Sequence, residues 1–156
     1  MYSVRQNKAL ATFSEGMNCA QSVASVFASE LGMDPAQMKR ISACFGGGMR
    51  MGATCGALTG ALMVLGLARG YSSYDPLAKQ DTERLTLSFL AAWKQRLGKT
   101  DCKDILGLDP SNPAQRELAR ERGLFDDNCP HCIAVAVELL EAFLSEPGSI
   151  MGESDV

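Results

Sequence analysis

The segment Met51-Gly-Ala-Thr-Cys-Gly-Ala-Leu-Thr-Gly-Ala-Leu-Met-Val-Leu-Gly-Leu-Ala68 contains no charged residue, and its reading decides what kind of protein this chain is. As a helix rising about 1.5 Å per residue it would extend about 27 Å, close to the ~30 Å of a bilayer's hydrocarbon layer. Gly52, Gly56, Gly60 and Gly66, with Thr54 and Thr59, dilute its hydrophobicity. The segment therefore reads as the buried central helix of a globular fold, over roughly Thr54 to Arg69, and no membrane span is expected. Gly52, Gly56 and Gly60, followed by Ala53, Ala57 and Ala61, recur every four residues and give a smooth stripe that a second helix can approach closely.

On either side of it the apolar spacing is helical, and no run alternates apolar and polar residues as a strand would. A first helix is predicted over about Val4 to Phe13 and a second from Asn18 to Leu31, with Val23, Phe27 and Leu31 one turn apart and Gly32 closing it. Asp34-Pro35 opens a third, as cap and first-turn proline, that runs to about Phe45. A fifth, about Asp75 to Leu97, places Leu85, Phe89, Ala92 and Trp93 on one face. Short helices follow near Asp101 and Pro113. The last is predicted from Asn128 to about Leu144, with Ile133, Ala136, Leu140 and Phe143 inward. The fold class is thus all-α, a single-domain bundle of about six to eight helices over residues 1–147, followed by a flexible tail, 148–156.

The chain has 156 residues, enough to bury a core without disulfide or metal staples. A formal charge of -3 and the lack of a long basic cluster argue against a nucleic-acid partner. The N-terminal run Met1-Tyr-Ser-Val-Arg-Gln-Asn-Lys8 is polar and lacks the apolar core of a secretory signal, so a cytoplasmic location is expected, where permanent disulfides are rare. The six cysteines then need another explanation.

Cys19, Cys55, Cys102 and Cys129 each follow a preferred helix cap: Asn18, Thr54, Asp101 and Asn128. If every cap is used, four thiols lie in the first turns of four helices, where free N–H groups and the dipole favour the thiolate. Cys129-Pro130-His131-Cys132 adds a Cys-x-x-Cys pair, with Cys129 the expected attacking thiol and Cys132 the resolving one. The fold of the oxidoreductases that use such a motif is not expected here, and Ile133 in place of histidine removes a c-type haem attachment. His131, the only histidine, could steady a thiolate or supply a ligand. One close cysteine pair does not make a paired-knuckle zinc site, but thiolates converging from separate helices would suit a soft metal or an iron–sulfur cluster. Cysteines buried as small inert side chains are the third reading.

Before the central helix, Gly46-Gly47-Gly48 offers backbone that a cofactor or metal can approach, with Arg50 available to an anion. Asn18-Cys19-Ala20-Gln21, Phe45-Gly-Gly-Gly-Met49, Cys55-Gly56-Ala57 with Gly60, Cys102 followed by Leu106-Gly107, and a late cysteine before the terminal helix together resemble the C_GCAxxG_C_C family of bacterial proteins. The resemblance runs from about Cys19 to Leu144. It implies a redox role centred on four cysteines: Cys19 or Cys44, then Cys55, Cys102, and Cys129 or Cys132. Cys19 and Cys132 are the favoured choices, which leaves Cys44 and Cys129 as additions peculiar to this chain.

The leading expectation is a redox-active thiol protein, in the enzymatic case a thiol oxidoreductase, acting through Cys129, Cys132, Cys55, Cys19 and Cys102. The alternatives are a metal or iron–sulfur protein with Cys19, Cys55, Cys102 and Cys132 as ligands, and a structural or interaction domain. Its cofactor is left open: none, a thiolate-bound metal or a cluster. The partner is a redox protein or small molecule, and the Gly/Ala stripe with eight methionines would also suit a homodimer.

Overall fold

A computed structural model describes residues 1–146; the predicted tail, 148–156, lies outside the described residues. Among these residues the fold is all-α: α1 Val4–Ser14, α2 Cys19–Ala28, α3 Pro35–Ser42, α4 Gly56–Arg69, α5 Pro76–Leu97, α6 Cys102–Leu106, α7 Pro113–Glu121 and α8 Leu124–Ser145. Short 3-10 turns, Ser29–Leu31 and Ala43–Phe45, extend α2 and α3 to the ends expected from sequence. No described helix is long and apolar enough to cross a membrane.

The helix starts follow local chemistry. The Asn18 side chain accepts from the Gln21 N–H while the Gln21 side chain accepts from the Asn18 N–H, so both ends of a capping box are closed on α2. Asp34, Asp75 and Asn112 cap α3, α5 and α7, each with proline in the first turn. The last helix departs from the expectation. It begins four residues early, at Leu124, because Gly123 adopts the left-handed conformation (φ 67°) and Asp126 and Asp127 complement the dipole in the first turn. Asn128 is not a cap: its Nδ2 donates to Leu124 O at 2.7 Å.

α2, α4 and α8 form the centre of the bundle. Val23, Phe27, Leu58, Val64, Ile133, Val137 and Leu140 are buried there, with Phe89 and Trp93 arriving from α5. Phe143 of α8 meets Phe89 edge to face at 5.1 Å. The buried Trp93 indole N–H is satisfied by Lys99 O at 2.9 Å, and Gln6 on α1 donates to Ala134 O on α8 at 2.9 Å.

The small-residue stripe of α4 packs against α2 at backbone contact. A Cβ at Gly60 would stand 2.7 Å from Ala20 O, whereas one at Gly66 would meet nothing within 4 Å. Two opposite outcomes follow in the same helix. Gly60→Ala is expected to destabilise by about 1–3 kcal/mol even after the helix-propensity gain. Gly66→Ala is expected to stabilise by roughly 0.5–1 kcal/mol. Denaturant melts of the two variants check both signs.

Candidate functional site

Five cysteines from four elements meet at one end of this core. Cys19 is the first residue of α2, Cys55 caps α4, Cys102 is the first residue of α6, and Cys129 and Cys132 lie one turn apart on α8. The starts of α4 and α6 are stapled together. Cys55 N donates to Thr100 O at 2.8 Å, Cys102 N donates to Ala53 O at 2.6 Å, and Thr54 and Asp101 between them form an isolated antiparallel bridge. Gly56 then admits α2: a Cβ there would lie 3.3 Å from the Cys19 Cβ.

The thiols pair across helices. Cys19 lies beside Cys129, and Cys132 beside Cys55, each close enough for the two thiols to perturb one another, while Cys102 is close enough to feel the charge of Cys55 and Cys129. Cys19 and Cys129 are part-buried; Cys55, Cys102 and Cys132 are buried. Cys44 is exposed on the turn after α3 and takes no part, and His131 is exposed.

The electrostatics single out Cys55. The Cys132 thiol donates to its sulfur, and the Ala57 and Leu58 amides at the start of α4 also favour the thiolate, so its pKa is lowered against the cost of burial. Neither amide closes a formal cap hydrogen bond to the sulfur. Cys132, as the donor in that pair, is pushed up, with burial adding to the effect. Cys19 is raised by its hydrogen bond with Cys129 and by burial. Burial and the neighbouring thiols push Cys102 up to about 12.

These directions correct the expectation that four first-turn thiols would all be activated. Cys19 and Cys102 do begin helices, but the Cys129 thiol and burial raise the first, and burial and the neighbouring thiols raise the second. Cys55 is itself the cap, in place of Thr54, and Cys129 is the sixth residue of α8, beyond the first turn. One thiolate in such a cluster makes the next costly.

The signs fix a pH dependence. A lowered Cys55 pKa contributes stability above the unfolded-chain value near 9, and this is lost as pH falls through the folded value. A raised Cys102 pKa contributes stability below about 9, and this is lost as pH rises towards about 12. Titration of ultraviolet thiolate absorbance in the reduced protein should show a cluster thiolate forming below the ordinary range, absent from Cys55→Ser. An unchanged curve in that variant would contradict the assignment.

Among the described residues no group of three or more His, Cys, Asp or Glu side chains has the arrangement that holds a metal ion. The glycine segment divides in use. Gly46 and Gly48 are buried, while Gly47 and Arg50 line a cavity of about 610 Å³. Gly47, Gly48, Met49 and Arg50 are all left-handed, with φ of 63°, 61°, 58° and 60°.

Sequence reasoning missed the cross-helix pairing and the early start of α8. For the helix start, Gly123 and the acidic pair Asp126-Asp127 were the available signal. The pairing had only the one-turn spacing of Cys129 and Cys132, which puts both on one helix face.

Two further comparisons, with curated proteins and with solved structures, each find no match. Among protein-family models, one described as "Putative redox-active protein (C_GCAxxG_C_C)" matches residues 17–143.

Proposed function

We propose, from the premise that this chain belongs to the C_GCAxxG_C_C family, that it is a two-electron thiol–disulfide protein working through two stacked dithiols. The observation that carries the reading is the cross-helix pairing of Cys19 with Cys129 and of Cys55 with Cys132. The first pair is part-buried and exchanges with an external disulfide; the second is buried and stores the oxidising equivalents.

In the outer step, Cys129 as thiolate attacks one sulfur of an incoming disulfide. A mixed disulfide forms and the other sulfur leaves as a thiolate. Cys19 gives its proton to that leaving group and displaces the second thiol, closing Cys19–Cys129. Two protein thiols are oxidised and one external disulfide is reduced to two thiols.

In the inner step, the Cys55 thiolate attacks Cys19 and releases Cys129. Cys132 then attacks Cys55, its proton passing to Cys129, and Cys55–Cys132 forms while Cys19 is freed. The outer pair is reduced again and can accept a second disulfide. Reduction runs the same steps backwards. Cys102, held protonated beside both pairs, is the spare thiol. A cytoplasmic setting suits this chemistry, since thiols there are kept reduced between turnovers.

The test is the native mass of protein purified without oxygen, followed by mild oxidation. A bare chain that loses about two daltons for each of two disulfides, and regains them with dithiothreitol, is expected. A stoichiometric metal, or a mass that never changes, would overturn the reading.

A further inference from the structure

The cavity whose wall includes Met17 and Pro130, near in sequence to Cys19 and Cys129, has a charge that the chain as a whole does not. The protein carries a formal charge of -3, yet this cavity is lined by Arg50, Arg116 and Arg120 against the single acid Asp126. Arg120 is ion-paired with Glu117, while Arg50 and Arg116 have no ion pair among the described residues. Two arginines thus line the space without an ion-pair partner, Arg50 from the glycine loop and Arg116 from α7.

The position is as informative as the charge. Pro130, next to Cys129 on α8, forms part of the wall, and so does Met17, two residues before Cys19. Arg50 belongs to the left-handed run, and its side chain lies over Gly47, whose missing Cβ would stand 3.8 Å from Arg50 Cδ and 3.9 Å from Nη1. A cavity of about 610 Å³ is in the range that holds a small-molecule ligand.

We propose that this cavity binds a small peptide-like thiol carrying more than one carboxylate, and its disulfide, with Arg50 and Arg116 holding the carboxylates and the sulfur directed to Cys129. The inference rests on the thiol-exchange reading and names the class of its external disulfide. When the disulfide form is bound, the balance is that of the outer step: Cys19 and Cys129 lose two electrons and the ligand leaves as two thiols.

Binding and exchange are tested separately. S-methylglutathione has two carboxylates and cannot exchange, so its calorimetric binding to the reduced protein reports the cavity alone. One site per chain is expected, weakened about tenfold or more by Arg50→Gln or Arg116→Gln and weakened by added salt, but retained in Cys129→Ser. Lys79→Gln, on α5, should bind as the wild type does. Absence of binding, binding of inorganic phosphate but not S-methylglutathione, or equal affinity in the arginine variants would overturn the proposal. Intact, arginine-dependent binding without exchange of glutathione disulfide would uphold the cavity and count against the redox reading instead.

Discussion

Cys55→Ser is expected to arrest oxidation at one disulfide. The reduced wild type, given excess small disulfide, should form two and protect four thiols from alkylation. The variant should stop with Cys19 and Cys129 joined and Cys132 still reactive once the chain is unfolded. The cause is specific to this position: Cys55 combines a lowered pKa with a neighbour, Cys132, that both stabilises the thiolate and later resolves the mixed disulfide. Cys132→Ser should also stop at one disulfide, because the resolving thiol is gone. Formation of two disulfides in Cys55→Ser would mean that Cys102 substitutes for it, and the inner pair would have to be redrawn.

The largest stability effect is expected at Gly48. Its φ is 61°, and a Cβ there would lie 2.4 Å from Ala53 O, in the turn closed by Ala53 N donating to Gly48 O at 3.1 Å. Gly48→Ala therefore meets two costs: about 1–2 kcal/mol for a left-handed alanine, and about 1–3 kcal/mol for displacing backbone. Gly107→Ala is the control, since φ is 75° and nothing lies within 4 Å, so only the first cost applies. Denaturant midpoints should place Gly48→Ala well below Gly107→Ala. Equal losses would show that the turn yields easily. Because Ala53 also accepts from Cys102 N and precedes Cys55 by two residues, the same substitution should loosen the thiol cluster.

The split between these two residues shows what the sequence could convey. Helix identity was legible wherever a cap and a proline or a capping box stand together, as at Asn18, Asp34-Pro35, Asp75-Pro76 and Asn112-Pro113, because those signals act within one turn. The packing role of Gly60 was legible from its four-residue spacing. At Asn128 the same cap rule failed, since a nearby glycine able to take positive φ offered an earlier start. The left-handed Met49 and Arg50 carry no residue-type signal, as glycine usually occupies that region.

The five cysteines that come together could be named from sequence but not paired. The Cys129-x-x-Cys132 spacing suggests a local pair, whereas the thiol that perturbs each most closely, Cys19 and Cys55, comes from another element. Their reactivity was not legible either. A helix start is a local property, but the Cys129 thiol beside Cys19, and the burial and mutual repulsion that raise both Cys19 and Cys102, exist only once distant segments meet.

Peptide mapping of the oxidised protein under non-reducing conditions tests the pairing directly. After oxidation without oxygen by a small disulfide, with free thiols blocked in acid, the expected linkages are Cys19–Cys129 and Cys55–Cys132, with Cys44 and Cys102 alkylated. A Cys129–Cys132 linkage as the main product, with Cys19 and Cys55 free, would contradict the cross-helix account.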